Sequence, residues 1–162
     1  MTNRAFDRRG FCGLAGAAGV WLVLAGAARA APVHFAVNHS DAEWKRLLGP
    51  ERYQILRESG TEKPFSSPLL KEHRKGTFLC AGCGNPLFSS ATKFESGTGW
   101  PSFWQALPGA IKTRTDHSLL IERTEVHCAR CGGHLGHVFD DGPKPTGLRY
   151  CMDGLALTFR PA

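Results

Sequence analysis

The hydrophobic pattern changes character three times along the chain. Phe11 to Ala28 is uncharged and rich in Gly, Ala, Leu and Val, with no polar face. Residues 31–40 show no period and read as a short leader. A helical period begins at Ser40. Ser40-Asp-Ala-Glu43 has the form of a capping box, in which Ser40 caps and Glu43 reaches back from the third helical position. Trp44, Leu47 and Leu48 lie on the short helix that follows, and Gly49 ends it. Pro50 suits the first turn of a second helix carrying Tyr53, Ile55 and Leu56, which ends near Gly60. Thr61 to Ser67 reads as loop, and Leu69 to Lys75 predicts one helical turn.

From Thr77 the runs become short and β-like. They are Thr77–Cys80, Lys93-Phe94, His117–Glu122, Thr124–Cys128 and Leu155–Phe159, punctuated by Gly and Pro. This predicts a mainly β, antiparallel domain behind a few N-terminal helices. Read as one strand, Arg149 to Phe159 puts Arg149, Cys151 and Asp153 in a row, with Leu155, Leu157 and Phe159 continuing it into the core. Apart from two CxxC knuckles the chain shows no internal repeat.

Composition narrows the picture. The 162 residues make one domain of ordinary size, and 42% hydrophobic content can fill a core. The formal charge of +6 is uneven, because residues 1–30 carry Arg4, Arg8, Arg9 and Arg29 against Asp7. Without them 16 basic residues face 13 acidic ones. No basic stripe interleaved with aromatics is present, so nucleic acid is not an expected partner.

Residues 1–30 read as an export signal. Asp7-Arg8-Arg9-Gly10-Phe11 resembles the twin-arginine signature, the apolar run follows, and Ala28-Arg29-Ala30 is an A-x-A cleavage signal. The mature chain then starts at Ala31, is periplasmic or otherwise exported, and keeps no stable membrane association. The alternative is an uncleaved membrane anchor, since the run is near the shortest that spans a bilayer. Cys12 leaves with the signal.

Cys80-Ala-Gly-Cys83-Gly84 and Cys128-Ala-Arg-Cys131-Gly132 share one plan: a β-like run, two cysteines, then glycine. A tight turn aims both sulfurs at one point, and two such turns offer four thiolates in a tetrahedron, which suits Zn²⁺. Four protein ligands leave no open position, so one structural zinc per chain is expected. Two disulfides are the alternative in an exported chain, and iron fits the same geometry.

Cys151 is the remaining cysteine after signal removal. A lone cysteine is commonly an inert buried hydrophobe. Arg149 two residues earlier would stabilise its thiolate and lower its pKa. His134 and His137 follow the second knuckle; they are either further zinc ligands or, with four cysteines already present, proton donors near a thiolate. Gly99-Trp100-Pro101-Ser102-Phe103-Trp104 is aromatic and turn-like, and reads as core or as a pocket wall.

Taken together these residues resemble the type B methionine sulfoxide reductases. The similarity runs through Lys63-Pro-Phe65, Gly76 to Phe88, Gly99-Trp-Pro-Ser-Phe103, Cys128 to Phe139, Asp141-Gly-Pro143, Pro145-Thr-Gly147 and Arg149-Tyr-Cys151, and it implies a reductase domain over residues 41–162. The resemblance implies two antiparallel sheets, a β-tent, with the short helices at the N-terminus. It implies reduction of the R epimer of methionine sulfoxide, preferably within oxidised proteins or peptides. Cys151 falls on the catalytic cysteine, with His134, His137 and Arg149 on polar active-site positions. Trp100 falls on the substrate-methyl position, with Phe103 and Asp153 beside it at the substrate. Cys80, Cys83, Cys128 and Cys131 fall on the zinc ligands. No organic cofactor is implied, and a thioredoxin-like or other thiol reductant is expected to recycle the enzyme. Two departures stand out: Thr98 occupies the place of a recycling cysteine in many members, and Asp153 replaces an asparagine. An ionised Asp153 would oppose the thiolate. A non-catalytic zinc-ribbon or rubredoxin-like module is the rival reading; it gives no role to Cys151, Trp100 or the histidines.

Overall fold

The computed structural model describes residues 34–118 and 121–162. The expected export signal, its cleavage point and the start of the leader lie outside them. No helix among the described residues is long and apolar enough to cross a membrane.

The capping box forms as the sequence predicts: Glu43 N–H donates to Ser40 Oγ, and Ser40 N–H donates to Glu43 Oε2 at 2.9 Å. Helix α1, Asp41–Glu58, is broken at Gly49, whose φ of 69° and ψ of 173° set Pro50 at the start of a fresh turn. Trp44, Tyr53, Ile55 and Leu56 enter the core. Ser59 takes a left-handed conformation and stops the helix. The helical turn expected after the loop is a 3₁₀ turn at Pro68–Lys71.

Among the described residues nine strands follow: β1 Gly76–Cys80, β2 Pro86–Ser89, β3 Lys93–Phe94, β4 Ser102–Phe103, β5 Ile111–Asp116, β6 Arg123–Cys128, β7 His134–Phe139, β8 Arg149–Met152 and β9 Leu157–Pro161. They form two antiparallel sheets, ordered β2-β1-β9 and β3-β4-β8-β7-β6-β5. Phe78, Leu87, Phe88, Phe103, Val126, Leu135, Met152 and Leu157 pack between them and α1.

Two expected strands are corrected. The strand placed at His117–Glu122 lies instead at β5, and the described residues 117, 118, 121 and 122 belong to the β5–β6 connection. β5 is held by its ladder to β6, from Ile111 against Cys128 to Asp116 against Arg123, and by pairs such as Arg114–Glu125 across it. Ile121, which made the later stretch look strand-like, is 73% exposed. The continuous strand from Arg149 to Phe159 is also broken. Glu62 accepts hydrogen bonds from Gly154 N–H at 2.6 Å and Leu155 N–H at 3.0 Å, drawing Gly154–Ala156 into a 3₁₀ turn. β8 and β9 therefore belong to different sheets.

Candidate active site and metal centre

The register of the large sheet sorts its residues onto two faces. Side chains directly opposite one another on neighbouring strands share a face. Phe94, Ser102, Cys151, His137, Glu125 and Arg114 make one such row across all six strands. The next row runs through Phe103, Tyr150, Val138 and Thr124 on the opposite face. Polar chemistry gathers on the first face and aromatic core on the second. The register puts Phe103 on the second face: it is fully buried and stacks on Phe88, with ring centroids 4.4 Å apart.

Cys151 thus sits on β8 between Ser102 of β4 and His137 of β7. Strand pairing this close to β7 needs a glycine opposite, since a Cβ on Gly136 would collide with the Cys151 carbonyl. Thr98 Oγ1 lies 3.7 Å from Cys151 Sγ and is linked through Ser96 Oγ, at 2.8 Å, to Ser102 Oγ, at 2.7 Å. Burial pushes the Cys151 thiol up, and the Thr98 hydroxyl and the Arg149 charge pull against it without reversing it. The lowered pKa expected from Arg149 alone is therefore outweighed by desolvation. Arg149 does share the Cys151 face, but it forks onto Asp141 with two bonds of 2.8 Å and lies over the Phe139 ring at 4.4 Å.

The two histidines have separate carboxylates. His134 Nδ1 is 2.8 Å from Glu125 Oε1 and His137 Nε2 is 2.8 Å from Asp116 Oδ2. Arg114 holds Glu125 from the far side, and Arg123 holds Asp116 at 2.6 Å. Burial opposes the charge on Glu125, but its bonds to His134 and Arg114 win and hold its carboxyl at about 2. Hydrogen bonds from Ser118, then His137, hold Asp116 well below the usual carboxylate range. Burial lowers His137, partly offset by Asp116. A polar pocket of about 300 Å³ opens onto both rings, lined also by Glu58, Arg114 and His117.

Asp153 is held from two sides. It is 3% exposed; its Oδ1 accepts from Glu62 N–H at 2.9 Å and its Oδ2 lies 3.7 Å from His134 Nε2. Trp100 is half-buried and donates its indole N–H to the Glu62 carbonyl at 3.2 Å. It walls a groove of about 930 Å³ with Phe65, Leu70, Lys71, Ser96 and Gly99. Sequence reasoning missed Glu62, Ser96, Ser102, Asp116 and Glu125. A signal existed for Glu125, an acidic residue inside the run Thr124–Cys128.

The four knuckle cysteines converge at the ends of β1 and β6. The knuckles superpose in their bonding: Gly84 N–H donates to Cys80 O and Gly132 N–H to Cys128 O, at 2.8 and 2.9 Å. Gly84 and Gly132 have φ of 69° and 70°, the left-handed turn the sequence anticipates. All four sulfurs lie within 4.8 Å of one another, with Cys80–Cys131 at 3.7 Å and Cys83–Cys128 at 3.6 Å. These separations exceed a disulfide bond of about 2.05 Å. They match the roughly 3.8 Å sulfur spacing of a tetrahedron with metal–sulfur bonds near 2.3 Å. The site can hold a metal ion, and the histidines, engaged by carboxylates, are not part of it.

The SelR domain profile matches residues 48–161. The chain is 54% identical over 129 residues to the peptide methionine sulfoxide reductase MsrB of Leptospira interrogans, covering 79% of this chain and 98% of that protein. It is 54% identical over 126 residues to the protein of that name from Agrobacterium fabrum, covering 77% and 93%, and 54% identical over 123 residues to that of Thiobacillus denitrificans, covering 75% and 93%. Its two antiparallel sheets, its four-cysteine centre and its Cys151 row thus stand in a chain that belongs to the SelR-domain family of peptide methionine sulfoxide reductases.

Proposed function

We propose that the chain reduces methionine-R-sulfoxide within oxidised proteins and peptides, with Cys151 as nucleophile. The observation that carries this is the cross-strand row Ser102–Cys151–His137, which seats a half-buried thiol among hydroxyl, imidazole and guanidinium groups on one face. A non-catalytic metal module would leave that row without a task.

The thiolate of Cys151 attacks the sulfoxide sulfur. The oxygen passes to Cys151 and takes up a proton, releasing methionine and leaving Cys151 as a sulfenic acid. The proton comes from the histidine pair, His134 and His137. Arg149 supports the thiolate through its charge, and Trp100 receives the methyl group. Cys80, Cys83, Cys128 and Cys131 would hold Zn²⁺, which supplies structural cross-linking and no chemistry at sulfur. A thiol of the thioredoxin class, or a small external thiol, attacks the sulfenic acid, forming a mixed disulfide with Cys151 and releasing water; a second thiol attacks that disulfide and returns Cys151 to the thiol. Residues 1–30 support export, so the clients are proteins outside the cytoplasm.

The test is reduction of a methionine-R-sulfoxide peptide by the purified chain with dithiothreitol. Cys151→Ser is expected to abolish turnover and leave metal content unchanged, because an alcohol is far less acidic than a thiol. Full activity in that variant would overturn the assignment.

A further inference from the structure

His134 is bracketed by two carboxylates. Glu125 is on its Nδ1 at 2.8 Å and Asp153 is near its Nε2 at 3.7 Å. Glu125 is ionised and can only accept, so Nδ1 carries the proton of that bond. A neutral ring then presents a bare lone pair at Nε2. That atom is buried and has no hydrogen-bond partner, and Asp153 Oδ2 lies 3.7 Å from it. Two lone pairs facing one another in a water-poor site are unfavourable unless a proton lies between them. Among the described residues no lysine or arginine forms an ion pair with Asp153; His134 is its ionic partner.

We propose that Asp153 is a positioning residue that keeps a second proton on His134, on Nε2 and shared towards Asp153 Oδ2, so that His134 serves the site as an imidazolium. This deepens the reductase reading and rests on it for its kinetic consequence. Burial raises Asp153 to about 6, countered in part by the Glu62 N–H and by His134, so the carboxylate gains most from a neighbouring proton. Burial lowers His137, and its Asp116 is already shared with Arg123. The groups that face the pair are Glu125 and, beside it, Arg114; His127, opposite His134 on β6; the His137 ring at 5.5 Å; Glu62, whose charge acts on Asp153; Cys151 two residues away; and Glu58, Asp116 and His117 around the same pocket.

The arrangement answers the departure from asparagine. A charged Asp153 works against the Cys151 thiolate. A proton held beside it offsets that opposition. In the reaction the Cys151 thiolate takes the sulfoxide oxygen, the pair's proton ends on that oxygen, and methionine leaves. The proton given up by the Cys151 thiol restores the pair.

The first experiment is nitrogen-15 NMR of the histidine rings in the full chain, with His134 assigned by through-bond correlation to its backbone. At pH 7 both ring nitrogens of wild-type His134 are expected to carry protons. In Asp153→Asn the amide donates to Nε2, which is then bare. A bare Nε2 in the wild type at pH 7 overturns the proposal, and this reading needs no variant. The second experiment is single-turnover sulfoxide reduction against pH. The limb that falls with rising pH marks loss of the shared proton. Removing an opposite charge at this distance should move it down by about 1–3 pH units in Asp153→Asn. An unmoved limb, or one moved up, overturns the proposal. A chain that reduces no methionine sulfoxide at any pH overturns the reductase reading, and the ring spectra still decide where the proton is.

Discussion

Phe103 separates the fold from the site, because its motif places it beside Trp100 and its register places it on the opposite face. It is fully buried, stacks on Phe88 with an interplanar angle of 15°, and meets Phe78 edge-on at 4.8 Å. Phe103→Ala removes a buried ring and leaves a cavity, at a cost of about 3–5 kcal/mol. For a domain of this size 1 kcal/mol corresponds to roughly 3–5 °C in Tm. A fall of about 10–20 °C is therefore expected, enough to threaten folding. Phe103→Leu fills much of the space and should cost about 1–2 kcal/mol, or roughly 3–10 °C. The assay pairs thermal melts by circular dichroism with steady-state KM for a methionine-R-sulfoxide peptide at a temperature where Phe103→Leu is folded. KM should stay within about twofold of wild type. A tenfold rise in KM, about 1.4 kcal/mol of binding, with an unmoved melting temperature would place Phe103 at the substrate and refute the assignment of faces.

Chelation, or Cys128→Ser, should lower the melting temperature first and activity only as a consequence, since a structural zinc contributes on the order of 10 kcal/mol to such folds; unchanged melting after complete metal loss would remove the structural role. Substrate without reductant should give one turnover and a trappable sulfenic acid on Cys151, because Thr98 rather than a cysteine lies 3.7 Å from its sulfur. A disulfide from Cys151 to any of the four metal cysteines would contradict that division. Thr98→Cys should place a thiol within reach and yield an internal disulfide after one turnover, read by a non-reducing peptide map.

Much of this was legible from local rules. The capping box, the break at Gly49 and the two CxxC knuckles depend on residues within a few positions of one another, and each formed as its sequence pattern predicts. What escaped depends on partners far away in the chain. The turn at Gly154 exists because Glu62, 92 residues earlier, takes its N–H. β5 lacks apolar alternation, since its place is set by pairing with β6 and by charges such as Arg114 against Glu125. The face of Phe103 was hidden for a related reason: adjacency to Trp100 in sequence says nothing about which face of a two-residue strand it occupies. Cys151 and Arg149 do share a face, as alternation requires, but burial of Cys151 could not be read locally, and burial decides its pKa.

The position of the metal centre relative to Cys151 follows from the same topology. Cys80 ends β1 in the three-stranded sheet, and Cys128 ends β6 in the six-stranded one. A metal held by both knuckles therefore cross-links the sheets. The chain itself passes between them at Ser90–Thr92 and again at Asp153–Ala156, directly after Cys151. That second crossing also carries the contacts that orient the site: Asp153 accepts from Glu62 N–H, Glu62 accepts from Gly154 and Leu155, and the Glu62 carbonyl receives the Trp100 indole. Separation of the sheets would pull on this crossing from the β9 side, since Leu157 pairs with Cys80. A centre with no role at sulfur would in this way still govern the geometry of Cys151, through the crossing at Asp153–Ala156 that follows it directly.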